Sequence, residues 1–236
     1  MPIPDSLPPD TPLSKLPNFD PRAVPVIGID THLPAVPAQL LAPDALRRRF
    51  QSPPSWKPEV WLERKFAERA PARASVLVAV VMRERPTVIL TERTTHLSTH
   101  SGQVAFPGGK RDDTDRDEAH TALREAQEEI GLAPERIEIL GTLPTYTTGT
   151  RFIITPVVAL VDPDHQLALN PHEVADAFEV PLEFLMNPAH HRRHEIHWAN
   201  ARREWFSMPY MDGSNERFVW GATAGMLRNF YRFLSA

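Results

Sequence analysis

Residues 108–132, GGKRDDTDRDEAHTALREAQEEIGL, constrain this chain more than any other stretch. At about 100° per residue, a helix through them places Glu125, Glu128 and Glu129 on one arc roughly 100° wide. Ala119, Leu123, Ala126 and Ile130 fall on the other side and read as core-facing. Like charges at these spacings repel one another. Gly131 and Pro134 predict that the helix stops just beyond them, so two of the acids stand at the negative end of its dipole, where cations are preferred. The arrangement is unfavourable unless something positive belongs there. A hard divalent cation with oxygen ligands is the natural candidate.

The remaining composition narrows the field. The 236 residues suffice for one large domain, or one domain with extensions, and 26 basic against 30 acidic residues give a formal charge of −4. No basic block suggests nucleic-acid binding, and a mildly acidic protein gains little long-range attraction for an anionic substrate without a metal. The chain has no cysteine, which excludes disulfides, thiolate catalysis and cysteine metal sites. No apolar run approaches the roughly 18 residues of a membrane span, and the N-terminus lacks a basic-then-apolar signal pattern. Cytoplasm is the default expectation.

Fifteen of the 25 prolines precede residue 72. Residues 1 to about 38 read as an extended arm, with short helices expected at 43–50 and 58–69, each opening on proline. Ser75–Met82 is a continuous β-branched run suited to a buried strand, and Thr87–Thr91 is a second strand. Val104–Phe106 reads as a short third strand, after which Pro107-Gly108-Gly109 is expected to break regular structure. A helix is expected from Asp115 to Ile130, with Asp115 and Glu118 resembling a capping box. Strands are expected at 137–143 and 152–161, and near 174–180, 194–198 and 203–210. Gly221–Leu234 reads as a closing amphipathic helix. Together these imply a mixed sheet with helices on both faces.

Gly109 to Leu132 resembles the signature of the Nudix hydrolase family, a glycine loop followed by a helix that ends Arg-Glu-apolar-x-Glu-Glu-x-Gly. Arg124, Glu125, Ala126, Glu128, Glu129, Gly131 and Leu132 match. Gly109 to Arg124 spans fifteen steps where fourteen is usual, and Asp115 stands in for the usual upstream glutamate. Residues 89–109, ILTERTTHLSTHSGQVAFPGG, look like the motif of the family's coenzyme A pyrophosphatase branch, matching at Leu90, Thr91, Arg93, Gly102, Phe106, Pro107, Gly108 and Gly109. Thr94 replaces the usual Ser or Ala, and Ser98 stands where a second arginine is expected. The likeness covers about residues 75–234. It implies an α/β/α sandwich with a mixed β-sheet over 71–236, preceded by a Pro-rich extension over 1–70.

The resemblance further implies a metal-dependent pyrophosphohydrolase that cleaves coenzyme A or its thioesters to 4′-phosphopantetheine and adenosine 3′,5′-bisphosphate. Glu125, Glu128 and Glu129 would hold Mg²⁺ or Mn²⁺, Arg124 would orient the carboxylates, and Gly108 and Gly109 would let main chain approach the ion. Glu125 within the box and Glu173 in a later loop are alternative general bases. Arg93 is either a phosphate contact or a structural ion pair. The alternative activities are hydrolysis of another nucleoside diphosphate derivative, such as ADP-ribose or an NADH-like dinucleotide, and ligand sensing without turnover. The partner expected is a small-molecule nucleoside diphosphate, with no nucleic acid or membrane; a homodimer is allowed. His190, His191, His194 and His197, with Arg192 and Arg193, suit no standard zinc spacing and read as a polar, solvated loop. Trp198, Trp205, Phe206, Tyr210 and Trp220 read as core or interface packing rather than a base-stacking platform.

Overall fold

In the computed structural model, which describes residues 13, 16, 19–59, 71–94, 102–148, 152–198 and 201–236, regular structure begins with strand β1 (Val26–Ile29) and the short helices α1 (Ala38–Leu41) and α2 (Pro43–Gln51). Pro43 opens α2, where its missing N–H costs nothing. The helix expected at 58–69 lies almost wholly outside the described residues. The next strands are β2 (Ala72–Val81), β3 (Thr87–Arg93), β4 (Val104–Ala105) and β5 (Gly108–Lys110), followed by helix α3 (Glu118–Ile130). Strands β6 (Ile137–Thr142), β7 (Tyr146–Thr147), β8 (Phe152–Val161) and β9 (Val174–Pro181) lead to the short α4 (Leu182–Leu185). Strands β10 (Arg192–Trp198), β11 (Ala201–Asp212) and β12 (Asn215–Trp220) then lead into the closing helix α5 (Gly221–Leu234).

The main sheet runs β4-β3-β2-β8-β6, with β5 also on β2, β7 on β8 and β9 on β3. Among the described residues only β2 and β8 pair in parallel, from Ala72 opposite Phe152 to Val81 opposite Val161, which makes the sheet mixed. Both strands are covered on both faces, hence their unbroken apolar runs. Val76, Val78, Val80, Val158 and Leu160 face one core with Leu227, Phe230 and Tyr231 of α5. Leu77, Ala79, Val81, Val157 and Ala159 face the other, beneath Ala122, Ala126 and Ile130 of α3. Ala122, not Leu123, takes the expected core position: Ala122 is fully buried and Leu123 only partly.

A second, antiparallel sheet runs β1-β10-β11-β12 and packs Phe206, Met208 and Val219 into the α5 core. The histidine-rich segment is therefore not a solvated loop: His190 ends a short 3-10 turn, His191 follows it, and His194 and His197 lie in strand β10, with His197 alone of the last three exposed. His191 and His194 are almost fully buried, because each ring nitrogen finds a partner. His194 Nδ1 meets the Val24 carbonyl at 3.0 Å and its Nε2 meets Ser207 Oγ at 2.8 Å. His191 Nε2 donates to the Leu185 carbonyl at 2.8 Å, leaving Nδ1 to accept from Arg228 at 3.1 Å. Trp205 and Phe206 are buried, as the packing reading expects.

Arg228, 1% exposed, is bound by acids from the chain ahead of residue 71. Its Nε reaches Glu59 at 2.6 Å and its Nη2 reaches Asp30 at 2.8 Å. Asp30 also takes both Nε and Nη2 of Arg193, at 3.1 and 3.0 Å. Both guanidinium groups lie against the Phe206 ring, 4.8 and 5.0 Å from its centre. Burial pushes the Asp30 carboxyl up, but the Arg193 and Arg228 charges outweigh it and hold the group below its ordinary range. Among the described residues no helix is long and apolar enough to cross a membrane.

Candidate active site

Helix α3 starts two residues later than the Asp115 boundary implies. Asp117 is the N-cap, accepting the His120 N–H at 2.8 Å. Asp115 has a different task. Its side chain is fully buried and accepts from Arg124 Nε at 3.0 Å and Nη2 at 2.9 Å. His120 Nδ1 at 2.9 Å and the Asp112 N–H at 2.9 Å complete its shell. The paired hydrogen bonds from Arg124 hold the Asp115 carboxyl well below the usual carboxylate range, against its burial.

Anchored in this way, Arg124 spends its remaining donors on the carboxylates around it. Nη2 lies 3.0 Å from Glu125 Oε1 and donates to the Lys110 carbonyl at 3.1 Å, while Nη1 donates to Glu128 Oε2 at 2.9 Å. Glu128 is the outlier of the three box acids: its side chain is 55% exposed and turned to Arg124. Glu125 and Glu129 are the inward pair, with side chains 15% and 4% exposed.

The Gly108-Gly109 segment lies directly against them. It does not break regular structure, as its composition implies, but forms β5, with Gly108 opposite Val76 and Gly109 opposite Ser75. The composition misleads because both glycines serve close approach. Gly108 has φ +153°, and a Cβ there would meet the Ser75 carbonyl at 2.4 Å. A Cβ on Gly109 would lie 2.4 Å from Glu125 Oε2. The Gly108 N–H donates to Glu129 Oε2 at 3.0 Å, and Arg93 Nη1 lies 3.6 Å from Glu129 Oε1. Arg93 is thus an ion pair of the site. Its Nε is buried without a hydrogen-bond partner among the described residues.

A fourth acid arrives from the chain after β8. Gly131, at φ +67°, ends α3, and the last carbonyls of the helix are met by the loop between β8 and β9. Ala168 N–H bonds the Ile130 carbonyl at 2.8 Å and Asn170 N–H the Glu129 carbonyl at 2.9 Å. This fixes Glu173 beside the inward pair. Glu129 is raised to about 7, chiefly by burial and with repulsion from Glu125 and Glu173 adding to it, against the opposing Gly108 N–H and Arg93. Glu125 is also raised, chiefly by burial, with Arg124 opposing and with Glu128 and Glu173 adding repulsion.

Among the described residues no three acidic or histidine side chains stand close enough to form a ready-made metal cage. The chemistry of the donors nevertheless fits a hard divalent ion: a buried and a partly buried carboxylate, a third within repulsive reach, and basicities raised by burial. Ser98 lies outside the described residues. Sequence reasoning left the partners of Asp115 open and assigned nothing to Asn170. A carboxylate nine residues ahead of Arg124 was the available signal for the first; only the folded loop reveals the second.

A family model described as "NUDIX domain" matches residues 71–206. An uncharacterized Nudix hydrolase NudL from Cronobacter sakazakii is 43% identical over 157 residues, 66% of this chain and 79% of that protein. The NudL of Escherichia coli K12 is 39% identical over the same shares. Among solved structures, a C. elegans Ap4A hydrolase binary complex aligns with 22% identity and a TM-score of 0.41, covering 50% of this chain and 85% of that one. RenU, a Nudix hydrolase from M. smegmatis, gives 24% and 0.40, covering 50% and 74%.

Proposed function

The chain belongs to the Nudix family of hydrolases, and from that membership we propose a metal-dependent pyrophosphohydrolase acting on coenzyme A or its thioesters. The observation that carries the reading is the inward pair, the buried Glu129 and the partly buried Glu125, held beside main chain that has no Cβ to obstruct an ion. Mg²⁺ or Mn²⁺ bound there supplies charge neutralisation for the diphosphate and acidifies a coordinated water. Glu125, Glu129 and the peripheral Glu128 would hold it. Arg124 fixes the Glu125 and Glu128 carboxylates from behind, and Asp115 fixes Arg124.

The attacking water needs a base. Glu125 is the candidate within the box, but Arg124 engages its Oε1 and opposes proton uptake. Glu173 is the second candidate; among the described residues its carboxylate is bonded to Asn170 and to no arginine, which favours it. Coenzyme A is supported by Leu90, Thr91, Arg93, Gly102 and the Phe106–Gly109 run. Thr91 and Phe106 are buried supports, and Arg93 reaches the site itself. A different nucleoside diphosphate derivative, ADP-ribose or NADH, is the alternative substrate.

The test is a Glu129→Gln variant assayed with Mg²⁺ or Mn²⁺ on coenzyme A, ADP-ribose and NADH beside the unaltered protein. Loss of turnover by at least about a thousandfold with an unchanged melting profile is expected. Near-normal turnover in the variant rejects the metal role. Preference of the unaltered protein for ADP-ribose or NADH rejects coenzyme A.

A further inference from the structure

We propose that Asn170 is the positioning residue that aims Glu173 into the ion pocket, an inference that rests on the reading of Glu125 and Glu129 as a divalent-ion site. Asn170 makes contacts in three directions. Its N–H is bound by the carbonyl of Glu129, so its backbone is fixed to the same residue that supplies the buried carboxylate. Its Oδ1 accepts the His172 N–H at 3.1 Å. Its Nδ2 donates to Glu173 Oε1 at 3.1 Å. The amide orientation follows from its neighbours: the His172 N–H can only donate, so the oxygen faces it and the amino group faces the carboxylate.

The backbone of Glu173 is held as well. Its N–H bonds the Asn170 carbonyl at 3.0 Å and its carbonyl accepts from the Thr94 N–H at 3.1 Å. Thr94 Oγ1 adds a bond to the His172 carbonyl at 3.3 Å. The loop is thereby tied to α3 on one side and to the end of β3 on the other. What remains free in Glu173 is the direction of its carboxylate, and the Asn170 amide sets it. This matters because the loop is bonded to the Glu129 carbonyl at one end and, through Glu173, to Thr94 at the other, next to the Arg93 whose guanidinium meets the Glu129 carboxylate. With Glu128 drawn out to Arg124, Glu173 is the further carboxylate that an arriving ion would draw in, oriented by a neutral donor. A neutral donor can orient a carboxylate without cancelling the charge that an ion requires.

Two variants and their combination decide the matter, read first by Mn²⁺ affinity from the electron paramagnetic resonance of free Mn²⁺, and second by turnover. Asn170→Ser keeps an oxygen for the His172 N–H but cannot reach Glu173. It is expected to weaken Mn²⁺ binding about tenfold, with the melting temperature retained. Glu173→Gln is expected to weaken it at least as much. The double variant N170S/E173Q should bind no more weakly than E173Q alone, because Asn170 acts through Glu173. Unchanged affinity in either single variant overturns the proposal. So does a full additional loss from N170S in the E173Q background, which marks a merely structural role. If Mn²⁺ binding follows the expected pattern while the unaltered protein hydrolyses no diphosphate, the proposed activity falls and the role of Asn170 stands. An unaltered protein that binds no Mn²⁺ overturns both.

Discussion

Gly109→Ala is the most discriminating perturbation of this site, because it moves one carboxylate and little else. The backbone of Gly109 lies outside the left-handed region, so alanine fits it without strain. The new Cβ would stand 2.4 Å from Glu125 Oε2, 2.5 Å from its Cδ and 2.7 Å from its Oε1. Ordinary contact begins near about 3.5 Å, so the carboxylate has to withdraw by about 1 Å. Its neighbours oppose that movement, since Arg124 Nη2 holds Oε1 at 3.0 Å. Losing a glycine from the unfolded chain contributes about 0.4–1 kcal/mol, which offsets part of the crowding, so stability should change by no more than about 1 kcal/mol. A misplacement of about 1 Å in a reacting constellation costs on the order of a hundredfold in rate. Steady-state hydrolysis of coenzyme A with Mg²⁺, run beside urea unfolding, should therefore show kcat falling about a hundredfold with nearly unchanged stability. Turnover within about threefold of normal would refute the claim that the position of Glu125 matters.

Two further outcomes follow from the surroundings of the site and the second sheet. Asp115→Asn puts an amino group among the Arg124, His120 and Asp112 donors in place of a carboxylate oxygen, and should cost about 2–3 kcal/mol in denaturant unfolding together with activity; an unaltered midpoint would show that Glu125, Glu128 and the Lys110 carbonyl suffice to hold Arg124. Burial holds folded His191 neutral, down to about 4 from the ordinary 6.5, with the nearby Arg228 acting in the same sense. Between those values the unfolded chain binds more protons, so stability falls as pH is lowered through the window, by about 3 kcal/mol in all. A His191→Gln variant should lose that slope; a slope equal to the unaltered protein's would exclude His191 as its source.

The main sheet and α3 were legible in the sequence because their signals are local. β2 and β8 are unbroken β-branched runs, and the period of α3 places Ala126 and Ile130 on one side. The errors fall where a distant partner overrides a local rule. Asp115 and Asp117 are equally good caps by composition; Arg124, nine residues after Asp115, claims that residue and leaves the cap to Asp117. Gly108-Gly109 looks like a turn, yet it pairs with β2 because Glu125 and Ser75 demand positions without side chains. β10 carries charge and histidine along its length and shows no apolar alternation, and the burial of His194 within it and of His191 just ahead of it depends on Ser207, Arg228 and Leu185, none of them neighbours in sequence. β12, whose first residues are polar, gave no strand signal. In the site, the three box glutamates were legible as a group, but the outward turn of Glu128 was not, since it depends on which donors Arg124 has left after binding Asp115.

The acids that neutralise Arg193 have a consequence for anyone recombining this protein. Residues 71–206 carry the family match and include Arg193, but Asp30, Glu59 and Arg228 all lie outside that interval. A chimera grafting only the matched interval onto another scaffold would inherit Arg193 without Asp30 and Glu59, two of the acids that face it. Loss of charge partners from a partly buried guanidinium costs on the order of 1 kcal/mol or more, a noticeable share of the roughly 5–15 kcal/mol that keeps a domain folded. Crossover points for shuffling are better chosen by following each ion to its partner than by following sequence similarity to its edge.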